Sequence, residues 1–405
     1  MAFGQLTGVP LPDMKFARSI IEIWMWGGPS QLETFDPKPD APVAYNNALK
    51  AVDTASGFRI HQWMPKLAAC SELYSVIRTM THPHNGHETA TYLMQTGHLP
   101  GGGIVYPAIG ALVSSMKRKE YRGDLPPYVI LTQPRGRFSE TGFLGDAAAP
   151  LVTGGNPNAG RFSVDGIVPP DGVDPDELER RLDLMARLDR LPPDPAFDAA
   201  GAGARKVIFG NAAQTFDLTR ETAETRALYG RTVIGQTLLV ARRLVEYGVP
   251  YIAVNYNGWD ISHKRHFQAM PRITSEFDTA LAALLTDLKG KGLLGTTHVW
   301  ASGEFGRTPK IDWEEPWNGG RNHYARCFSA LVAGGGFKGG CAVGVSDETA
   351  STVKERPVTP TDFLGSICER AGIDPDGPLP NPKGLKLKVM PTDSPCGRLK
   401  EIYEG

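Results

Sequence analysis

The stretch Ile20-Ile21-Glu22-Ile23-Trp24-Met25-Trp26, followed at once by Gly27-Gly28-Pro29-Ser30, gives the strongest indication of the fold. It is short, β-branched and aromatic and stops at a glycine–proline turn, which predicts a buried strand that ends in a loop. Similar stretches follow at 73–78, 127–131, 251–255, 298–302 and 329–333, with helical patterns at 88–95, 104–117, 229–247 and 272–289. Strands that alternate with helices predict an α/β fold, here a three-layer α/β/α sandwich with a mostly parallel central sheet.

The domain organisation is predicted from length and pattern together. A chain of 405 residues has room for two or three domains or for one large domain with insertions. Residues 135–228 contain no strong strand pattern, so we interpret them as an insertion into one domain. The sequence therefore predicts a single α/β domain over 20–375, an N-terminal extension at 1–19 and a proline- and lysine-rich surface tail at 376–405.

Composition argues against several classes of protein. The 43 Lys and Arg residues are balanced by 44 Asp and Glu residues, and this net charge of −1 argues against a dedicated nucleic-acid binder. The five cysteines are scattered and odd in number, which argues against a disulfide framework. No apolar stretch is long enough to span a membrane, and the first twenty residues show no export signal.

Metal-binding residue types follow the predicted strands, where open α/β sheets bind their ligands. Asp260 and His263 come after the fourth predicted strand, and Glu304 and His323 come after the fifth. Imidazole and carboxylate groups are the donors that zinc, manganese and related divalent ions prefer. We therefore expect these four residues to form a divalent metal site.

Anion-binding groups are expected beside that metal. Arg307 and Arg321 also follow the fifth strand, and a guanidinium matches phosphate or sulfate geometry with two parallel hydrogen bonds. A helix is predicted to begin between Asn85 and Thr89, where free backbone N–H groups and the positive end of the helix dipole favour an anion. Ordinary capping of that helix by Asn85 or Thr89 is the alternative interpretation.

Glycine and proline make up 79 of the 405 residues, counted as 46 and 33. Many of them come directly after predicted strands, including Gly27-Gly28-Pro29, Gly258 and Gly334-Gly335-Gly336. We expect part of this excess to give the loops the backbone freedom to surround one anion and its metal.

Several motifs together resemble a bacterial family known as domain of unknown function 1501. In chain order they are GGPSQLETFDPKPDAP at 27–42, HNGHETATYLMQTGH at 84–98, GWD with a following His at 258–263, EFGRTP at 304–309, GGRNHY at 319–324 and the glycine-rich run at 333–340. That family is similar to sulfatases and belongs with the alkaline-phosphatase-like superfamily. The resemblance covers residues 18 to about 375 and implies that superfamily's α/β sandwich, with phosphate or sulfate esters processed at one or two divalent metals.

The resemblance also implies roles for individual residues. Asp260, His263 and His323 resemble the ligands of one metal, and Glu304 resembles an acidic ligand that follows another strand. Counting back without gaps from Thr96-Gly97 places His87 where sulfatases carry formylglycine and phosphodiesterases carry threonine. Relatives are often exported, which implies a periplasmic or exported protein, although no signal peptide is visible in this sequence.

The sequence departs from the superfamily pattern in four places. It has no Cys-x-Pro-x-Arg motif, so a formylglycine sulfatase is not supported. The first strand lacks a terminal Asp, for which Glu33 and Asp36 are the nearest candidates, and Phe305 stands where a His is usual. The spacing from Asp260 to His263 is one residue short, so His266 competes with His263 as a ligand. The number of metals and catalysis itself therefore stay open.

The working hypothesis is a metal-dependent hydrolase of sulfate or phosphate esters, small-molecule or carbohydrate, with zinc, manganese or calcium as the ion. We expect His87 to act as nucleophile or general base, Thr89 to be the alternative nucleophile, and Arg307 to stabilise developing charge. The expected substrate-binding residues are Asn85, Arg321 and Trp259, and the aromatic residues that could stack on a sugar are Trp24, Trp26, Trp259 and Tyr324. A non-catalytic protein that binds glycans or a partner and a phosphomutase-like transferase are the alternatives.

Overall fold

An eight-stranded sheet forms the centre of the protein, as shown by a computed structural model that describes residues 16–132, 140–159, 162, 164, 167, 173–188, 195–381, 383–392 and 394–403. The strands are β1 (Ser19–Trp24), β2 (Ala51–Asp53), β3 (Arg59–His61), β4 (Tyr74–Met80), β5 (Tyr128–Leu131), β6 (Leu151–Val152), β7 (Tyr251–Asn255), β8 (Thr297–Ser302), β9 (Gly306–Arg307), β10 (His323–Tyr324), β11 (Phe328–Gly334), β12 (Ala342–Val343), β13 (Val345–Ser346) and β14 (Val353–Glu355). The central sheet has the order β12-β4-β11-β8-β1-β7-β5-β6. All six strands predicted from the sequence are confirmed as members of it.

Helices cover both faces of the sheet. They are α1 (Val43–Asn46), α2 (Pro65–Ala69), α3 (His87–Thr96), α4 (Ile109–Lys117), α5 (Pro175–Leu188), α6 (Pro195–Phe209), α7 (Ala223–Leu228), α8 (Val233–Tyr247), α9 (His266–Gly290) and α10 (Pro360–Arg370). None of the helices in the described ranges combines the length and apolar character needed to cross a bilayer. The predicted three-layer sandwich with a mostly parallel sheet is confirmed.

The alternation of side chains along β1 explains the two helical layers. Ile21 and Ile23 belong to a core cluster that includes buried residues of α2, α8 and α9. Ile20 and Trp24 belong to a second cluster, formed with α3, α4 and α10. Because successive side chains of a strand point to opposite faces, a strand that is apolar at both sets of positions must be covered on both sides.

Strand direction decides which loops meet. β1 is parallel to β7 and β8, and β11 is antiparallel to both β8 and β4, so β4 runs in the same direction as β1. The carboxyl ends of β1, β4, β7 and β8 therefore share one edge, which we call the site edge. The amino end of β11 lies at the same edge, and this brings the preceding hairpin of β9 and β10 to it.

The direction of β11 also corrects one expectation. Gly334 ends β11 and Gly335 and Gly336 follow it, so all three lie at the opposite edge, where a Cβ on Gly334 would stand 2.3 Å from the carbonyl oxygen of Thr297 at the start of β8. The prediction that these glycines shape the loops around an anion is wrong, because an apolar pattern does not reveal strand direction.

The region predicted as an insertion contributes to the edge of the sheet. Its residues Leu151–Val152 form β6, which pairs in parallel with β5. The helices α5 and α6 and the short helix α7 also come from this region. The division into one domain, an insertion and a C-terminal surface tail stays a prediction.

Candidate metal centre

One oxygen atom of Asp260 is the hub of a cluster at the site edge. Asp260 lies in a short 3₁₀ helix (Trp259–His263) directly after β7. Its Oδ1 atom is 3.3 Å from the Nε2 atoms of His87, His263 and His323, and 2.7 Å from Nη2 of Arg307. Three imidazole nitrogens and a guanidinium therefore surround a single carboxylate oxygen.

The opposite nitrogen of each imidazole is held by a hydrogen-bond acceptor. Nδ1 of His87 donates to Glu304 Oε1 at 2.6 Å, and Nδ1 of His323 donates to the carbonyl oxygen of Asn85 at 2.9 Å. Nδ1 of His263 lies 3.1 Å from the side-chain oxygen of Asn322. Because these acceptors take the Nδ1 proton, each Nε2 atom can present a lone pair to the cluster, as in histidines that bind metals.

The Nε2 atoms are spaced for a cation. The ligand atoms of His87, Asp260 and His323 all lie within 4.8 Å of one another. Two ligands of a tetrahedral zinc ion are about 3.3 Å apart when the bonds are about 2.0–2.1 Å long, and the distances from Asp260 Oδ1 to these two histidines match that value. The Nε2 atoms of His263 and His323 are only 2.8 Å apart, which is closer than two ligands of one tetrahedral ion, so they do not both have ligand spacing.

Glu304 orients His87 through Nδ1, the ring nitrogen that faces away from Asp260. The carboxylate is fully buried, and its two oxygens accept the backbone N–H of Gly27 at 3.0 and 3.2 Å in addition to the His87 bond. The backbone oxygen of Glu304 is 2.7 Å from Nε2 of His82. Glu304 was predicted as a metal ligand, but the residues brought together with ligand spacing are His87, Asp260 and His323.

Gly27 must be glycine for this arrangement to close. Its φ of +106° is strained for other residues, and a Cβ there would stand 2.3 Å from the backbone nitrogen of Asp260. The loop after β1 can therefore approach the loop after β7 closely, and Gly27 also contacts Glu304 and Arg307 of the segment after β8. Gly27 thus permits a close approach of two loops at the site edge, while its use around an anion stays a prediction.

Electrostatics keep the cluster ionised. Burial raises the pKa of Asp260, but hydrogen bonds from His323, His87 and Arg307 outweigh it and hold that pKa well below its usual range. Burial lowers the pKa of His87, yet the hydrogen bonds and charges of Asp260 and Glu304 raise it to about 9 overall. Burial and the charge of Arg307 lower the pKa of His263. Before an ion binds, His87 thus carries the proton that offsets the two carboxylates.

Arg307 is enclosed rather than open to a ligand. Its side chain is fully buried, and it donates to the backbone oxygens of Gly28 at 3.0 Å and Arg321 at 3.2 Å and to that of Gly27. The side chain of Gln31 fixes its backbone by accepting from the N–H and donating to the carbonyl oxygen. The structure places Arg307 against Asp260, where it orients the carboxylate.

Three other predicted residues lie away from the cluster. Arg321 is fully buried and bonds to Glu33 Oε1 at 2.6 Å, and Nε2 of His266 is 3.1 Å from Glu33 Oε2. Trp259 is 1% exposed and packs edge-on against Phe277 in the core. Because Arg321 and Trp259 are buried, neither side chain is accessible to a substrate. His266 faces Glu33, so His263 is the histidine at the cluster.

The two candidates for a strand-one carboxylate also lie elsewhere. Glu33 belongs to the buried group with Arg321 and His266, and Asp36 accepts from Ser346 and lies 3.0 Å from Nζ of Lys38. Neither residue reaches the cluster. Its carboxylates therefore come from the loops after β7 and β8.

The helix α3 begins at His87, as predicted, with Gly86 as its N-cap. Asn85 contributes its backbone oxygen to His323, and its side-chain oxygen accepts from the backbone N–H of Ala325. Thr89 is partly exposed in the first turn of α3. Asn85 thus shapes the site through its backbone.

Two contributors were not identified from the sequence. Asn322 anchors His263, and the ring of Trp26 stacks on His87 with centroids 4.9 Å apart and an interplanar angle of 12°. The sequence alone indicates Trp26 only as a residue that could stack on a sugar. No sequence pattern predicts that Trp26 lies beside His87, because this contact depends on how the loop after β1 folds back.

Comparisons with solved structures give matches of low identity. They include Ps i-CgsB in complex with k-i-k-neocarrahexaose (11% identity, 88% of this chain and 72% of that chain covered, TM-score 0.45). The lipoteichoic acid synthase LtaP from Listeria monocytogenes also matches (9%, 93% and 76%, TM-score 0.44), as does the alkaline phosphatase of the Antarctic bacterium TAB5 (10%, 88% and 99%, TM-score 0.38). A search of curated proteins gives no match.

A family model identifies the chain over nearly its whole length. The model described as "Protein of unknown function (DUF1501)" matches residues 17–395. The match includes every motif on which the resemblance was based, and that resemblance is confirmed. The chain belongs to the DUF1501 family.

Proposed function

We propose that this protein is a metal-dependent hydrolase of sulfate or phosphate esters. One observation carries the proposal: the Nε2 atoms of three anchored histidines converge on Asp260 Oδ1 at 3.3 Å each. An ion at the centre would take the place of the proton that His87 carries in the metal-free protein, and it would give the carboxylate oxygen and the imidazole lone pairs a common positive partner. The donor set of imidazole and carboxylate fits zinc or manganese.

His87, Asp260 and His323 would hold the ion. Catalytic zinc sites have three protein ligands and leave the fourth position open for water or substrate. An ion held there would polarise an ester oxygen and lower the pKa of a bound water. This assignment makes His87 a ligand, whereas the sequence alone favoured it as nucleophile or base.

His263 is then the group best placed to take a proton. With its Nδ1 proton directed at Asn322, its Nε2 atom can accept one beside the open position. The side chain is about a quarter exposed, so a substrate can approach it. Its 2.8 Å separation from His323 Nε2 keeps it adjacent to the ligands.

The charge of the site supports an anionic substrate. Asp260 and Glu304 are opposed by Arg307, so a divalent ion leaves the cluster with a net positive charge. A positive, partly exposed centre attracts sulfate or phosphate esters more strongly than neutral ones. A carbohydrate ester also suits the partly exposed Trp26, which borders the cluster.

The test is a panel of aryl sulfates and aryl phosphates measured with added zinc, manganese or calcium. Turnover that a chelator abolishes and the ion restores supports the proposal. Absence of turnover with every ion, together with tight saccharide binding, would support the non-catalytic alternative. Exchange of the phosphoryl group without net hydrolysis would support a transferase.

A further inference from the structure

The guanidinium of Arg307 fills a cage of oxygen atoms beside the proposed metal site. Asp260 Oδ1 is 2.7 Å from Nη2, and the backbone oxygens of Gly28 and Arg321 lie 3.0 and 3.2 Å from its Nε and Nη1 atoms. The carbonyl oxygens of Gly27 and Trp259 complete the cage around Nη2, the latter at 3.4 Å. Five oxygens from three separate loops thus surround one buried cation.

The donor atoms of this cage are those of a cation-binding site. Carboxylate and backbone carbonyl oxygens are the donors that hard divalent ions such as calcium use. The carbonyl dipoles and the carboxylate would be costly to bury without a positive charge. Arg307 supplies that charge from the chain itself, and its full burial shows that no solvent-filled space remains in the cage.

Asp260 links this cage to the proposed metal site. Its Oδ1 atom faces both Nη2 of Arg307 and the Nε2 atoms of His87 and His323. A second divalent ion bound to Oδ1 on the side away from the histidines would have to occupy the volume of the guanidinium. The two positive charges would also be held within a few ångströms of each other, where they repel.

We propose that Arg307 is a resident cation that restricts the centre to one divalent ion per chain, with Asp260 bridging the ion and the guanidinium. The inference rests on the proposed function, because it assumes that His87, Asp260 and His323 bind an ion. It adds the number of ions, which neither the motifs nor the donor set determines. Arg307 is thereby a positioning residue that acts through Asp260.

The first experiment measures stoichiometry on the full chain. Metal-free protein is titrated with Zn²⁺ by calorimetry, and the metal content is measured after gel filtration. One ion per chain is expected. Two ions per chain at the site edge would overturn the inference while leaving the proposed function intact, and no bound ion with any divalent metal tested would overturn the proposed function itself.

The second experiment compares Arg307→Met with Arg321→Met. Both residues are fully buried arginines among backbone oxygens and a carboxylate, but Arg321 faces Glu33 instead of Asp260. In zinc-loaded protein, we expect Ca²⁺ to raise the melting temperature of Arg307→Met by at least about 2 °C, because the emptied cage accepts it, and to leave Arg321→Met unchanged. An equal response of the two variants would contradict the inference.

If the Arg307→Met variant does not fold, Arg307→Lys provides the second measurement. Lysine keeps the charge but has three donors instead of five, so it satisfies fewer oxygens of the cage. We expect one zinc ion per chain with affinity weakened at least tenfold, because Asp260 is less well oriented. Unchanged zinc affinity in this variant would show that Arg307 does not act through Asp260.

Discussion

Glu304→Gln tests whether this buried carboxylate acts through His87 or binds the metal itself. In the structure one oxygen accepts the Nδ1 proton of His87 at 2.6 Å, and both oxygens accept the N–H of Gly27. Glutamine keeps the size of the side chain, and its oxygen in the place of Oε1 can still accept from His87 and Gly27. The negative charge is lost, however, and the NH₂ group in the place of Oε2 faces the Gly27 N–H, so the bond that orients His87 is weakened.

The magnitude follows from the charge-assisted bond that is weakened. A hydrogen bond to a charged group contributes about 1.5–3 kcal/mol, and removing the partner that orients a metal-binding histidine typically weakens metal affinity about 10–100-fold. These values agree, since each tenfold change is about 1.4 kcal/mol. We therefore expect Glu304→Gln to bind zinc 10–100-fold more weakly than the wild type.

The assay is competition with a chromophoric chelator at one fixed pH, and the matched control is Glu22→Gln. Glu22 is also a fully buried glutamate, but it accepts from Gln95 and Tyr251 away from the site edge. Burial raises its pKa to about 8, so it is mostly protonated at neutral pH and glutamine replaces it closely. Its zinc affinity should not change.

Two outcomes would refute this reasoning. Zinc affinity within threefold of the wild type would show that Glu304 does not orient a ligand. Complete loss of zinc, equal to the loss caused by removing His323, would show that Glu304 is a direct ligand, as the sequence alone predicted.

His323→Ala should abolish measurable zinc binding and ester turnover while circular dichroism shows an intact fold; retained zinc would remove His323 from the ligand set. His263→Gln should keep zinc but lose turnover because it removes the proposed proton acceptor, and loss of zinc instead would make His263 a ligand. His266→Ala should destabilise the protein by roughly 1–3 kcal/mol, because one oxygen of the buried Glu33 loses its partner while Arg321 still pairs with the other, and it should keep zinc affinity. In metal-free protein, the raised pKa of His87 contributes stability that is complete below about pH 6.5 and is lost as pH rises through about 9. If the melting temperature of His87→Gln depends on pH as strongly as that of the wild type, this prediction is wrong.

The sequence was sufficient to predict the sheet and the edge at which the candidate site lies. Short β-branched stretches such as that at 20–26 are buried on both faces, and their apolar pattern can be recognised without knowledge of the tertiary packing. The positions of Asp260 and His323 after consecutive strands then followed from the rule that such loops meet. His323 arrives at the edge because the antiparallel strand β11 begins there, which the pattern did not show.

The roles of the two histidines after β7 required the structure. His263 ends a 3₁₀ helix, and Arg265 two residues later has a positive φ of 52° before α9 begins at His266. This turn directs His266 into the protein towards Glu33 while His263 faces the cluster. Spacing from Asp260 could not separate them, because the local backbone conformation is set by packing against the 312–320 loop.

The enclosure of the two arginines was also beyond sequence reasoning. Arg307 and Arg321 have the residue type and the position expected of anion-binding groups, yet the guanidinium groups of both donate to backbone oxygens of other segments of the chain. Those contacts join residues more than ten positions apart, and in the case of Arg307 and Gly28 nearly 280 positions apart. Only the folded arrangement of the loops determines whether such a side chain remains available to a ligand.

The most direct test of the central claim is a crystal structure of zinc-loaded protein with anomalous data on both sides of the zinc absorption edge. The account predicts one zinc peak per chain, about 2.0–2.2 Å from Nε2 of His87, Nε2 of His323 and a carboxylate oxygen of Asp260. Glu304 should remain bonded to His87, and Arg307 should remain in its cage. A peak coordinated by Glu304, a second peak in place of the guanidinium, or no peak at the site edge would contradict it.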